Sequence, residues 1–184
     1  MKIMHKPVSW MIGIAFLLSA SATNAGDLPD PSLTPGCVNP KITKEILCSP
    51  HFHTRDFRGT ISKGERKEIY ESYGIQQGVP PCPCELDHLI PLSLGGATDP
   101  RNLWPQSETT PWSSHLKDQL EQVLPFEVCA TKIELLDAQR GIACNWKATF
   151  FKRFGLPKGA SEIPTSDDTC LSKPVAECDA ADTH

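Results

Sequence analysis

Past its first 25 residues this 184-residue chain has no apolar run approaching the ~20 residues that a membrane-spanning helix needs, so no helical anchor is expected there. None of its eight cysteines is spaced Cys-x-x-Cys, which argues against a zinc ribbon. No internal repeat is visible, so a solenoid is not expected. Positive charge is scarce as well. The chain has 18 Lys plus Arg against 22 Asp plus Glu, and Lys2 and Lys6 fall within its first six residues, so the remainder carries 16 bases, 22 acids and a net charge of −6. Such a balance discourages broad contact with phosphates.

What is present begins with a leader-like segment. Lys2, His5 and Lys6 precede an apolar stretch over residues 8–18, and small residues continue through Ala25, the layout of a cleavable secretory signal with Ala22 or Ala25 before the cut. Residues 1–25 are therefore expected to be a signal peptide, and the rest a secreted or periplasmic protein without stable membrane association. All eight cysteines lie beyond that point, and an even number in an oxidising compartment favours a full disulfide set. Their pairing is open from sequence, except that Cys82 and Cys84, one proline apart, are poorly placed to bond each other.

The remaining length suits one domain with some ornament. Residues 26–50, rich in proline and loop formers, read as an arm held by Cys37 and Cys48. Residues 51–159 read as the domain, and 160–184 as an acidic tail anchored by Cys170 and Cys178. Ser62 and Glu65 have capping-box spacing at the head of a helix that Gly74 can stop. Thr131 and Glu134 repeat that spacing before a helix whose apolar face is Leu135, Leu136, Ile142, Ala143, Trp146 and Phe150. His51 and His53 form a His-x-His pair with no further ligand nearby in sequence, which favours an exposed loop.

Chemistry concentrates in CELDHLIPLSLGGATDPRNLWPQ, residues 84–106. Asp87 and His88 are adjacent, so at a strand end their side chains point to opposite faces, one towards a cation and the other towards water or substrate. An apolar run (Leu86, Leu89, Ile90, Leu92) ends at Gly95-Gly96, which permits a tight hairpin reversal. Asp99, Pro100 and Arg101 lead into a returning strand at Asn102-Leu103-Trp104. The order Asp-His, apolar-Pro-Leu, Gly-Gly, Asn-Leu resembles the His-Asn-His (HNH) endonuclease family, and the likeness extends over residues 54–73 and 112–146. The resemblance implies an α+β fold with a ββα-metal hairpin-helix core. It makes His88 the general base, Asp87 a metal ligand and Asn102 the residue that braces the loop and orients the histidine. It also implies one divalent ion and a nucleic-acid substrate.

The chain departs from the family at its last metal ligand, since the first histidine after Asn102 is His115. Thr110-Pro111 reads as an N-cap and first helical residue. Trp112, Leu116, Leu120, Val123 and Leu124 then form an apolar stripe that Pro125 ends. His115 lies beside that stripe, and Asp118, three residues on, is an alternative or additional ligand. An alignment on Lys117 would instead put Ser114 in the ligand position. Charge is uneven along the chain: residues 160–184 hold Glu162, Asp167, Asp168, Glu177, Asp179 and Asp182 against Lys173 alone. The rest is near neutral, with basic clusters at Arg55, Arg58, Lys63, Arg66, Lys67 and at Lys147, Lys152, Arg153, Lys158.

The expectation is thus an exported, disulfide-stabilised HNH-type nuclease that hydrolyses phosphodiesters with Mg²⁺, Mn²⁺ or Zn²⁺. DNA is preferred over RNA as its substrate. Arg58 and Arg101 are candidate phosphate contacts. The competing expectation is a catalytically inactive extracellular binding module on the same scaffold.

Overall fold

The computed structural model describes residues 26–75 and 83–178. Its elements run β1 (Cys37–Val38), α1 (Lys44–Leu47), α2 (Lys63–Ser72), β2 (Cys84–His88), β3 (Leu103–Ser107), α3 (Ser114–Cys129), α4 (Leu135–Phe154), α5 (Asp168–Leu171) and β4 (Ala176–Glu177). β2 and β3 pair antiparallel, Asp87 opposite Trp104 and His88 opposite Leu103, while β1 pairs parallel with β4. The protein is therefore α+β, two small two-stranded sheets among helices. The signal-peptide expectation, the fate of Cys82 and residues 179–184 lie outside the described residues.

α2 starts as its sequence implies. The Ser62 hydroxyl accepts the Glu65 N–H, the Glu65 carboxylate accepts the Ser62 N–H, and Gly74 turns the chain away with φ +69°. The second capping box does not form. Thr131 adopts φ +54°, and the bonds Thr131 N–H to Val128 C=O and Lys132 N–H to Glu127 C=O close the end of α3 instead. Thr131 thus serves the preceding helix. Glu134 stands at the N-cap of α4 without a side-chain capping bond.

α3 departs from expectation at both ends. It begins at Ser114 behind Ser113, not at Thr110-Pro111, because the Ser107 hydroxyl accepts the N–H groups of Thr109 and Thr110 and holds that stretch as a turn. Trp112 consequently precedes the helix, buried edge-on to Trp146 and Phe150. Nor does Pro125 end α3. A mid-helix proline leaves the carbonyl four residues back without its donor, and here that carbonyl, on Glu121, accepts the Ser93 hydroxyl at 3.0 Å. The Cys48–Cys129 disulfide then fixes the helix end to the arm.

The core lies where α3 and α4 meet the β2–β3 pair, with Trp104, Leu120, Leu124, Val128, Ile142 and Trp146 all fully buried. Leu136, expected on the apolar face of α4, is exposed. α4 bends at Asn145, whose backbone is non-helical and whose side chain re-caps the second half by accepting the Ala148 N–H.

Cys37–Cys178 joins the arm to the tail, Cys144–Cys170 ties the tail to α4, and Cys84 is disulfide-bonded as well. The acidic tail is therefore integral to the fold: β4 pairs with β1, and the Thr165 and Lys173 carbonyls accept from Asn145 and Arg140. The disulfides suit a non-cytosolic, oxidising setting. No helix among the described residues is long and apolar enough to cross a membrane.

Candidate active site

The β2–β3 connection, residues 89–102, is a long loop and not a tight hairpin, which corrects the expectation for Gly95-Gly96. Both glycines serve within it. Gly95 has φ +79°, and a Cβ on Gly96 would overlap the Ile90 carbonyl oxygen, so the loop folds onto itself there. Fully buried Asn102 holds this shape: its Oδ1 accepts the Ile90 N–H, and its Nδ2 donates to the carbonyls of Ile90 and Ala97, each at 2.9 Å. Asn102 therefore braces the loop and makes no hydrogen bond to His88.

The loop returns Thr98 to the end of β2. There the Thr98 hydroxyl meets His88 Nε2 at 3.0 Å and accepts the Gly59 N–H at 3.2 Å, linking the histidine to the segment that carries Arg58. Burial drives the His88 pKa down from 6.5 to about 4. The Asp87 charge opposes that shift, and the cations Lys117 and Arg58 add to it. At neutral pH the imidazole is uncharged and able to take a proton.

Asp87 faces the other way, onto α3, where it meets a residue that sequence reasoning did not place at the site. Lys117 is wholly buried, and its ammonium donates to Asp87 Oδ2 at 2.8 Å, the His88 carbonyl at 2.6 Å and Glu121 Oε1 at 2.6 Å. Burial alone would strip its proton. The carboxylates of Asp87 and Glu121 outweigh that cost and raise its pKa, so Lys117 is a fixed cation joining the end of β2 to α3. Burial pushes the Glu121 carboxyl up, with the Lys117 charge pulling against it. The sequence held one signal for this. Lys117 sits three residues before Leu120 and seven before Leu124, on the apolar stripe itself, with Glu121 one turn later.

These groups line a cavity of about 480 Å³ that brings together His88, Asp87, Glu85, Asp118, Glu121 and Arg58. Four carboxylates thus share the space with one imidazole and the Arg58 guanidinium. Burial and the Asp87 charge raise the Asp118 carboxyl. Three predicted residues do not line the cavity: Asn102, buried within the loop, and also His115 and Arg101. His115 is exposed, turned towards Asp118 with Nδ1 3.9 Å from its carboxylate, and is not among the cavity-lining residues. Arg101 points out beside the loop, its guanidinium in a two-point contact with Asp99. Glu85, Thr98, Lys117 and Glu121 are the members that the motif did not reveal.

The donor set has the chemistry for a hard divalent cation, oxygen-rich with one imidazole. It is not gathered as tightly as a preformed site. Among the described residues, only Cys37, Asp99 and Cys178 bring three ligand atoms within 4.8 Å of one another, and the two sulfurs there are consumed by a disulfide. No family model, no curated protein and no solved structure matches this chain.

Proposed function

We propose that the protein is an exported, metal-dependent HNH-type endonuclease that hydrolyses phosphodiester bonds of nucleic acid, with DNA its preferred substrate. The observation that carries this reading is His88: a neutral imidazole, bonded to Thr98, facing an acidic cavity beside an arginine. In the tautomer whose Nε2–H is donated to the Thr98 oxygen, Nδ1 is the free basic nitrogen, and it takes a proton from water as that water attacks phosphorus. Asn102 acts at a distance, by holding the loop that presents Thr98. Arg58 meets the phosphate at the cavity wall. Arg101 contacts the strand only from outside the cavity.

The cavity carboxylates would repel a phosphate by themselves, which favours a requirement for a cation. Asp87, Asp118 and Glu121 are the residues that would hold one Mg²⁺, Mn²⁺ or Zn²⁺, with Asp118 taking the place first expected for His115. Such an ion supplies stabilisation of charge on the phosphorane and leaving oxygen. Lys117 keeps one oxygen of Asp87 engaged and so fixes how its carboxylate is presented.

The same ammonium is the observation that favours the second reading, an inactive extracellular binding module. A site whose acid is already neutralised by a buried lysine has less need of a metal. Plasmid nicking by the purified, oxidised chain separates the two. We expect cleavage that chelation abolishes and Mn²⁺ or Mg²⁺ restores, and a loss of about 10²-fold or more in His88→Ala with the fold retained. Undiminished cleavage by His88→Ala would remove the proposed base, and absence of cleavage under all metals would leave the binding module.

A further inference from the structure

A second cavity, of about 370 Å³, opens beside the first and shares Thr54 and Ser93 with it as a common wall. Its floor is apolar, built from Leu47 at the end of α1, Phe52 and Pro125 of α3, and its rim carries His53 and Arg55. Phe52 is held flat against Phe57, ring centroids 5.3 Å apart and planes 25° apart, which gives the floor a rigid aromatic member. The Arg55 side chain is 80% exposed, and its contact with the neighbouring Asp56 is a loose 3.6 Å. His53 is exposed too. His53 of the His-x-His pair and Arg55 of the basic cluster line this second cavity, while Arg58 lines the first.

We propose that this cavity is a nucleotide subsite, taking one base and its phosphate from a single-stranded segment that flanks the bond at His88. The proposal rests on the nuclease reading for its direction, and on this cavity for its chemistry. A base offers a flat apolar face, which suits Phe52 and Pro125, and aromatic stacking of that kind tolerates any sequence. Its phosphate is an anion, and the neighbouring cavity with Glu85, Asp87, Asp118 and Glu121 repels anions. Arg55 lines the second cavity and Arg58 the first, so a backbone running from one to the other across the shared wall of Thr54 and Ser93 meets a guanidinium on each side. A duplex would present its bases stacked inwards and could not use the floor, so the segment is unpaired.

The test is equilibrium binding of a fluorescein-labelled oligothymidylate to the full oxidised chain, read by anisotropy across a salt series in the presence of chelator, so that no cleavage occurs. Arg55→Ala should weaken binding about fivefold to tenfold, and the slope of log affinity against log salt should fall by about 0.7, the value for one phosphate contact on a single strand. Arg55→Lys should recover part of that loss. An abasic oligomer of equal length should bind more weakly than the thymidylate. Unchanged affinity and slope in Arg55→Ala, or equal binding of the abasic oligomer, would overturn the subsite. If the wild-type chain binds the oligomer with this pattern yet cleaves no nucleic acid, the subsite stands and the nuclease reading falls. If it cleaves while Arg55→Ala binds normally, the reverse holds.

Discussion

Replacing Lys117 by methionine isolates the central electrostatic feature of the site. The side chain is similar in length and fits an apolar surround, but the ammonium and its contacts to Asp87, the His88 carbonyl and Glu121 are lost together. Breaking a buried charge pair by removing one partner costs about 3–5 kcal/mol, because the remaining charge is left without compensation. Lys117 has no exposed surface, so solvent cannot make up the loss. At about 2–4 °C per kcal/mol for a chain of this size, the variant should melt roughly 10 °C lower at pH 7. The sign with pH is also fixed. Without the cation, the Glu121 carboxyl, already pushed up by burial, loses the charge that pulls it down, so the penalty is present at neutral pH and fades as pH falls and that carboxyl protonates. A divalent ion should stabilise the variant more than the wild type, since three oxygens are left facing a missing cation. Thermal melting at pH 7 and pH 4, with and without Mn²⁺, measures all of this. A variant as stable as wild type at pH 7, or a penalty that does not shrink on acidification, would refute the assignment of Lys117 as the compensating charge.

The site geometry also fixes the response to pH and to loss of a ligand. Because burial lowers the His88 pKa to about 4, activity should hold as pH drops from 7 towards 5 and fall only near 4; an acid limb near 6.5 would mean that the base is another group. The same shift makes His88 cost stability as pH falls from 6.5 to 4, since the unfolded chain takes up its proton first. For the metal, Asp118→Asn should weaken Mn²⁺ binding measured by calorimetry, whereas His115→Ala should leave it nearly unchanged. Strong loss in His115→Ala alone would restore the histidine as the ligand.

The legible parts of this fold are those whose causes are local. The Ser62–Glu65 capping box needs only residues three apart, and it forms. Asn102 as a brace is legible only through the motif resemblance, and its bonds to Ile90 and Ala97 show it holding the loop. The illegible parts depend on partners far along the chain. Pro125 looks like a helix end until Ser93 supplies the donor that the helix lacks. Gly95-Gly96 reads as a two-residue turn until Asn102 draws the loop inwards against Ile90 and Ala97. Lys117 is thirty residues from Asp87, and a lysine on a helix is ordinarily a solvated residue, so its burial could be suspected only from its place on the apolar stripe. His115 is the converse case. Its type fits the family pattern, but its position one residue after the helix start turns it outwards, beside Asp118 and away from the base.

The acidic tail bears on nucleic-acid binding in a way that composition alone misjudges. A free segment with its charge would repel or mask a basic surface by diffusing over it. The tail's residues 160–178 are tied down by Cys144–Cys170, by Cys37–Cys178 and by the β1–β4 pairing, and part of their acidity has a structural use. The Asp167 carboxylate accepts the N–H groups of Thr169 and Cys170 at the head of α5, and Asp168 stands in the first turn of that helix. Charge fixed in place acts over about a Debye length, ~8 Å at physiological salt, so it matters only to surfaces it adjoins. The net charge of the whole chain therefore says little about the His88 cavity. The local balance decides there: carboxylates from β2 and α3 and the Arg58 guanidinium in the cavity, Arg55 in the neighbouring one, and buried Lys117 paired with Asp87 and Glu121. An anion entering this cavity meets the repulsion of Glu85, Asp87, Asp118 and Glu121 and the attraction of Arg58.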